Sequence, residues 1–371
     1  MQKIPKWFIG EFFGTFLLVF FGCGSVCAAV LTGAQVGVFQ VAIVWGLGIA
    51  TAIYLTGALS GAHLNPAVTV SLAAWSHFPR GRVVAYVAAQ LFGAFVGAAV
   101  LYFIFGDALT AFEKVNHIVR GQPGSEASAM VFGEFFPNPC GHPLTEETRA
   151  RMSSWRAFGA EVIGTAILLL VVFCTTDERN VARPQVLTAA TIGLTVTLLI
   201  SLLGPLTMAC FNPARDLSPR LFSSLAGWGA VPFAVNGWGW LTVYILAPLA
   251  GGLLGGGIYR IKQRIAGLVI RRRISKPNRP AMRGVGIAGI AGEGTERLFE
   301  DEDLPCLQRA EITGQRGLSC AHGQTATVIA PGIKGHAVLL GVEGYRFHAL
   351  EHGTGAGREQ RSMKSVEHGI D

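Results

Sequence analysis

The chain has 371 residues, of which 51% are hydrophobic and only 14% are charged. Soluble domains carry about 25% charged residues, so this composition argues against a soluble globular protein. The net charge of +7 matters here through its placement, because Lys and Arg concentrate on the cytoplasmic side of membrane proteins; it does not indicate nucleic-acid binding. The cysteines form neither a CxxC pair nor a Cys/His ligand pattern, so we expect no disulfide framework, metal site or cofactor.

Six apolar segments reach the length of about 20 residues that a helix needs to cross a bilayer. In chain order they cover 7–31, 37–58, 82–105, 156–176, 186–204 and 239–261. The first exceeds the ~7–15 apolar residues of a signal peptide, so we expect it to be retained as a span. Small-xxx-small pairs predict packing seams in three spans: Gly10 with Gly14, Gly93 with Gly97, and Gly251 with Gly255.

Two further apolar segments, 63–77 and 209–222, are too short to cross the membrane. Each contains a Pro directly after an Asn, at Pro66 and Pro213, and Pro favours the first turn of a helix. Non-helical backbone at membrane depth is tolerated only where it is buried in protein or lines a watery cavity. The sequence therefore predicts two half-helices that begin inside the membrane.

The two halves of the chain repeat each other. Glu11 opens the first span and Glu161 the fourth in the same pattern, and Asn65-Pro66-Ala67 is matched by Asn212-Pro213-Ala214. Because each half has three spans, the second half is inverted, which brings the broken helices together at the bilayer midplane. Two buried acids at matching positions predict a structural role as acceptors for the re-entrant loops; a proton relay is the alternative.

Basic residues near the span ends predict the orientation. One side, which we expect to be cytoplasmic with both termini, carries Lys3, Lys6, Arg80, Arg82, Arg179, Arg183, Arg260, Lys262, Arg264 and Arg271 to Arg273. The extracellular loop 106–154 also holds basic residues, which argues in the opposite direction.

We expect a channel domain over 1–265, with repeats at 1–105 and 155–265. The polar, Gly-rich stretch 266–371 predicts a disordered cytoplasmic tail, with a small folded module as the alternative.

Two Asn-Pro-Ala motifs in inverted three-span halves resemble the aquaporin and glycerol-facilitator family, the major intrinsic proteins, over residues 5–264. The resemblance implies an all-α membrane protein of six transmembrane helices and two re-entrant half-helices, assembled as a homotetramer in the cell (inner) membrane. Some positions are similar to markers of the glycerol-conducting, bacterial aquaglyceroporin branch. These are Phe136, Asp216, Arg220, Pro248 and Leu249, together with the stretch 117–121.

The resemblance also implies where solutes are selected. It places the selectivity filter at Trp45, Ile200, Ala209 and Arg215. Bacterial facilitators are similar at the Trp and the Arg but have Gly and Phe at the other two positions, where this set looks more like the nodulin-type channels of plants. Pore-lining carbonyls are implied at Gly61, Ala62, His63, Met208, Ala209 and Cys210, although His63 could instead hold the loop.

These residues suggest how a channel would work. The amides of Asn65 and Asn212 supply donors at the midplane, where both half-helix dipoles oppose cations and protons. Arg215 adds donors at the extracellular constriction and repels cations, and Trp45 offers an apolar wall to the carbon side of a polyol. We expect a passive channel for glycerol, other small uncharged solutes and water. One alternative is a channel mainly for water, urea or metalloid hydroxides. Others are an alternating-access carrier and a junction protein. We expect no enzyme, because the sequence shows no nucleophile–base pair.

Overall fold

The computed structural model describes residues 4–35, 37–275, 319–321 and 325–327, with side chains described up to residue 265. The chain divides into two units, Met1–Pro277 and Asn278–Asp371. In the second unit, β1 (Ser319–Ala321) and β2 (Thr325–Thr327) form an antiparallel pair. The predicted disorder of 266–371 concerns residues that mostly lie outside the described ones, and it stays a prediction.

Every regular element described in the first unit is a helix. In chain order its helices are α1 (Lys6–Thr32), α2 (Val38–Ser60), α3 (Pro66–Trp75), α4 (Val83–Ile104), α5 (Gly106–Val115), α6 (Glu126–Ala129), α7 (Glu146–Ala150), α8 (Ser154–Thr176), α9 (Thr188–Thr207), α10 (Pro213–Ser223), α11 (Val231–Ala234), α12 (Gly239–Leu241) and α13 (Ala247–Ser275). Short 3₁₀ turns precede α4 and α9, and π-helical segments at Ser224–Trp228 and Thr242–Leu246 precede α11 and α13. The last helix continues past the predicted boundary at 265.

Among the residues that the structure describes, six helical segments are long and apolar enough to cross a membrane. They are Lys6–Thr32, Val38–Ser60, Arg80–Ile104, Ser154–Thr176, Gln185–Thr207 and Gly239–Ile265, which confirms the six predicted spans and shifts their ends by a few residues. The two half-helices are α3 and α10. Each begins at its Pro, as the Asn-Pro pairs predict, and left-handed residues shortly before the Asn keep the helix from starting earlier.

Glycines form the seams that hold each half together. In the first half, a Cβ added at Gly93 would lie 2.2 Å from the carbonyl oxygen of Phe12, so α4 rests directly on the backbone of α1. In the second half, a Cβ at Gly255 would lie 2.2 Å from the carbonyl oxygen of Ala166, so α13 rests on α8 in the same way. The last span of each half therefore packs on its first span through glycine, as the small-xxx-small spacing predicts.

The two halves meet through a third glycine pair. A Cβ at Gly46 on α2 would lie 2.5 Å from the carbonyl oxygen of Gly193 on α9, and a Cβ at Gly193 would lie 2.3 Å from that of Gly46. The contact is reciprocal, as expected where two inverted repeats meet at a pseudo-two-fold axis.

The connection between the halves, 106–154, is folded into the protein rather than looped outside it. It contains α5 to α7, and every residue from 125 to 136 is buried. Three of its basic residues are paired with acids of the same segment: Arg120 with Glu113 (2.9 Å), Arg149 with Glu126 (3.8 Å) and Arg151 with Glu147 (2.9 Å). These basic residues are thus largely neutralised, which weakens their conflict with the predicted orientation.

The seams predict a strong contrast between two Gly→Ala substitutions. Gly255→Ala places a methyl group against backbone and should destabilise the protein by about 1–3 kcal/mol through overpacking. Gly57→Ala in α2 is the matched control, because nothing lies within 4 Å of its Cβ position, and it should be neutral or slightly stabilising. Thermal unfolding of the detergent-purified variants, followed by size-exclusion fluorescence, measures both; equal melting temperatures would contradict the seam.

A truncation tests the predicted domain boundary. Chains ending after Lys276 contain all six spans and both half-helices, so we expect normal membrane insertion and normal glycerol flux in reconstituted vesicles. The full-length chain is the control. Failure of the truncated chain to insert would show that the C-terminal stretch is needed for the channel fold.

Candidate channel pore

The two Asn-Pro-Ala motifs meet through a reciprocal pair of hydrogen bonds. Asn65 caps α3 by accepting from Ala67 N (2.8 Å), while its Nδ2 donates to the carbonyl oxygen of Phe211 (2.8 Å). Asn212 caps α10 by accepting from Ala214 N (3.1 Å), and its Nδ2 donates to the carbonyl oxygen of Leu64 (2.9 Å). Since an amide nitrogen carries two N–H groups, each asparagine keeps one donor for a passing molecule.

The backbone before each motif is irregular. The residues whose carbonyls are expected to line the pore lie in left-handed backbone: φ is positive at Gly61, Ala62 and Leu64, and again at Met208, Ala209 and Phe211. In each stretch two adjacent left-handed residues are followed by an ordinary one and a third left-handed one, so the carbonyls do not accept backbone N–H groups as they would in a helix. Left-handed backbone at residues other than glycine raises the free energy of the folded state unless the surroundings hold it. Both stretches therefore need specific contacts, as expected at a functional site.

The two buried acids fix these stretches. Glu11 accepts hydrogen bonds from the backbone N–H groups of His63 (2.9 Å) and Leu64 (2.8 Å). Glu161 accepts equivalent bonds from Cys210 (3.0 Å) and Phe211 (2.8 Å). Neither carboxylate is exposed. Both make the contacts that a structural role requires, and their positions repeat across the two halves.

A cavity of about 410 Å³ runs along both motifs. Its lining includes the amides Asn65 and Asn212, the predicted carbonyl residues Gly61, Ala62, His63, Ala209 and Cys210, and apolar side chains of α1, α2, α8 and α9. Met208 is absent from this lining and belongs instead to a second cavity of about 420 Å³. The pore is therefore polar along the two re-entrant stretches and apolar on the facing helices.

His63 has both of the roles considered for it. Its Nδ1 lies 3.1 Å from the hydroxyl oxygen of Thr69, and its ring packs against Phe78 and Tyr86. Its side chain also lines the cavity. The histidine thus helps to hold the loop while contributing to the pore wall.

Three of the four predicted filter residues separate the two cavities. Trp45, Ile200 and Arg215 line both of them, so the passage narrows between these side chains. Ala209 lines the first cavity only. The guanidinium carbon of Arg215 lies 4.6 Å from the centre of the Trp45 ring, which sets a cationic donor group against an apolar face.

Sequence analysis missed a partner of Arg215 in the buried connection. The Nη1 of Arg215 donates to the carbonyl oxygen of Phe132 (3.1 Å), and its Nη2 lies 2.7 Å from Oε1 of Glu134. Both charged side chains are almost fully buried, with exposed fractions of 3% and 1%. The available signal was a single acid inside the apolar run 127–136, since a buried charge requires a partner.

Two of the residues that resemble glycerol-channel markers, Asp216 and Arg220, contact the Glu134 backbone outside the pore. Asp216 and Arg220 form a buried ion pair (2.7 Å), and Asp216 also accepts from the backbone N–H of Glu134 (2.8 Å). Arg220 donates to the carbonyl oxygens of Pro232 and Glu134. Elsewhere Phe136 packs on Tyr244, and Pro248-Leu249 lies in the first turn of α13, just after the π-helical segment. None of these markers lines either pore cavity.

Comparison with known proteins agrees with this geometry. The sequence profile of the major intrinsic protein family matches residues 2–259. A glycerol uptake facilitator protein of Pseudomonas aeruginosa is 40% identical over 256 residues, which cover 68% of this chain and 87% of that protein. The propanediol uptake facilitator PduF of Citrobacter freundii is 39% identical over 255 residues, covering 68% and 90%.

A solved structure is similar as well. The aquaglyceroporin from Plasmodium falciparum superposes with a TM-score of 0.60 at 28% identity, covering 72% of this chain and 98% of that one. With two capped half-helices meeting between six spans and the family profile matched over most of its length, the chain belongs to the major intrinsic protein family.

Proposed function

We propose that the protein is a passive membrane channel through which glycerol, other small uncharged solutes and water diffuse while ions and protons are excluded. One observation carries this proposal: the cavity between the motifs and the filter offers hydrogen-bonding groups but no carboxylate among its lining residues. Glu11 and Glu161 lie behind the loops and do not line it. A sodium-coupled carrier needs such an acid on its pathway, whereas a channel for neutral solutes does not.

The lining suits a molecule with one polar and one apolar side. Carbonyls and amides of the re-entrant stretches replace the water that a hydroxyl group loses, and the facing helices cover the carbon skeleton. The relatives named above are facilitators for glycerol and for propanediol, both short molecules with more than one hydroxyl group. A short polyol therefore fits this chain best, and the solute needs no covalent change to pass.

Ion exclusion follows from the same elements. Both half-helices begin at their asparagines near the centre of the pore, and their dipoles place positive partial charge there. A cation entering the pore loses its hydration and meets this field, while a neutral solute does not. Because the amide oxygens accept from the half-helix backbone, the asparagines offer donors to the pore, so a chain of waters is interrupted in its hydrogen-bond direction at this point.

We also propose an orientation and an assembly for the channel. Basic residues at the ends of the spans, among them Arg80, Arg82 and Arg179, favour cytoplasmic termini under the positive-inside rule. Homotetramer assembly in the cell membrane rests on family resemblance.

A second candidate function is a channel for urea and other compact neutral solutes. It is favoured by Ala209, whose small side chain leaves room beside Arg215.

The channel proposal predicts how flux depends on concentration. Glycerol entry into proteoliposomes, followed by stopped-flow light scattering, should rise in proportion to the gradient without saturating, because no carrier cycle limits it. A protonophore or a sodium gradient should leave the rate unchanged, and protein-free liposomes give the background. Saturable uptake that collapses with the protonophore would replace the channel with a carrier.

The filter composition predicts a change in selectivity. Ala209→Phe with Ile200→Gly exchanges a branched aliphatic wall for a flat aromatic one, and we expect the glycerol-to-urea permeability ratio to rise roughly three- to tenfold, the size of effect that one apolar contact supports. Each single substitution should give part of the change. Leu202→Gly is the matched control, because Leu202 lies on the same helix but is 72% exposed outside the pore. An unchanged ratio in the double variant would mean that these positions do not form the filter.

A further inference from the structure

The filter arginine has an acidic partner that lines neither pore cavity. Glu134 is fully buried, and its backbone is fixed at both ends: its N–H donates to Asp216 (2.8 Å) and its carbonyl oxygen accepts from Arg220. Its Oε1 lies 2.7 Å from Nη2 of Arg215, and the thiol of Cys210 is a further polar neighbour of the carboxylate. The side chain is therefore held beside the guanidinium.

The balance of buried charges also pairs Glu134 with Arg215. Four charged groups are buried together here: Glu134, Arg215, Asp216 and Arg220. Asp216 and Arg220 satisfy each other through two hydrogen bonds of 2.7 and 2.8 Å. Because a buried charge without a partner is strongly unfavourable, Glu134 is the acid that remains for Arg215.

The 132–134 segment also sets where the guanidinium lies. One contact is the Phe132 carbonyl and a second is Glu134, both on the side of the buried connection, while the Trp45 ring covers a third side. Arg215 lines both cavities, so its remaining N–H groups are free to face a solute. The geometry supplies donors at the constriction while a carboxylate compensates the positive charge.

We infer that Glu134 is the counter-ion and positioning residue of the filter arginine, so that the constriction is electrically neutral and donates hydrogen bonds without repelling cations by net charge. This inference rests on the proposed channel function. It leaves ion exclusion to the midplane half-helices, and it gives Arg215 the task of orienting solutes. It also means that removing Arg215 uncovers a buried negative charge.

The ionisation of Glu134 supports a measurable pH dependence. Burial raises the pKa of Glu134, while the Arg215 guanidinium 2.7 Å away lowers it and favours the ionised carboxylate. The other ionisable groups around it are Asp216 and Arg220 on α10, Cys210 before α10, Glu161 on α8, Cys23 on α1 and Tyr244 before α13. As the pH falls through this pKa, the carboxylate takes up a proton and the constriction changes from neutral to positive.

The test is a double-mutant cycle on ion leak. Wild type, Arg215→Val, Glu134→Gln and Arg215→Val/Glu134→Gln are reconstituted at equal protein amounts, and potassium and proton leak are followed with a potential-sensitive and a pH-sensitive dye. Arg215→Val should leak cations about tenfold above wild type because of the uncovered carboxylate. The double variant should return close to the wild-type leak. If the double variant leaks as much as Arg215→Val, Arg215 itself is the barrier and the inference is wrong.

A second measurement uses the isosteric variant, which keeps the shape of the site if Arg215→Val does not fold. Glu134→Gln leaves an uncompensated positive charge, so it should admit nitrate, a small anion that stays charged at every pH used, faster than wild type does. Glu134→Asp keeps the charge and should restore wild-type exclusion. Wild-type nitrate entry should rise as the external pH is lowered, and the Gln variant should show no such change. Equal nitrate entry in the Gln and Asp variants would overturn the inference, whereas absent wild-type glycerol flux would instead overturn the proposed function.

Discussion

The reciprocal hydrogen bonds between the two asparagine amides and the carbonyls of the opposite half hold the pore together. Each half-helix is capped by its own asparagine, and each cap is oriented by the other half of the chain. The left-handed backbone before the motifs, the buried acids that bind it and the paired dipoles all depend on this meeting point. Loss of either amide would leave one carbonyl of the opposite half without its donor and one half-helix without its cap, in a place where water cannot substitute freely.

Most of the fold could be predicted because lipid restricts what a chain can do. Backbone groups in a bilayer must bond internally, so apolar length alone predicts six spans, and the Asn-Pro pairs predict the starts of α3 and α10. The glycine spacing likewise predicts the α4–α1 and α13–α8 contacts. Local pattern carries this information because each contact follows from residues within one helix.

The connection 106–154 could not be predicted in the same way. Its polar composition and turn residues resemble an exposed loop, yet residues 125–136 are buried. What buries them is a set of long-range partners, such as Arg220 for the Glu134 carbonyl and Glu126 for the backbone N–H of Leu144. A single sequence shows that Glu134 is an acid in an apolar run, but it does not show which of several cations it meets. Periodicity also gave no indication of left-handed residues before the motifs.

The burial of the connection has a consequence for how the protein is made. Phe132 and Arg215 are 83 positions apart, so the carboxylate side of the filter is translated and placed well before the arginine side. Until α10 has emerged and turned back into the membrane, the outer half of the passage has no arginine, no second asparagine and no second half-helix dipole. The last third of the channel domain is thus needed before the passage can exclude ions. A chain stalled in the middle of insertion would lack both the filter geometry and the paired half-helix dipoles that keep ions out.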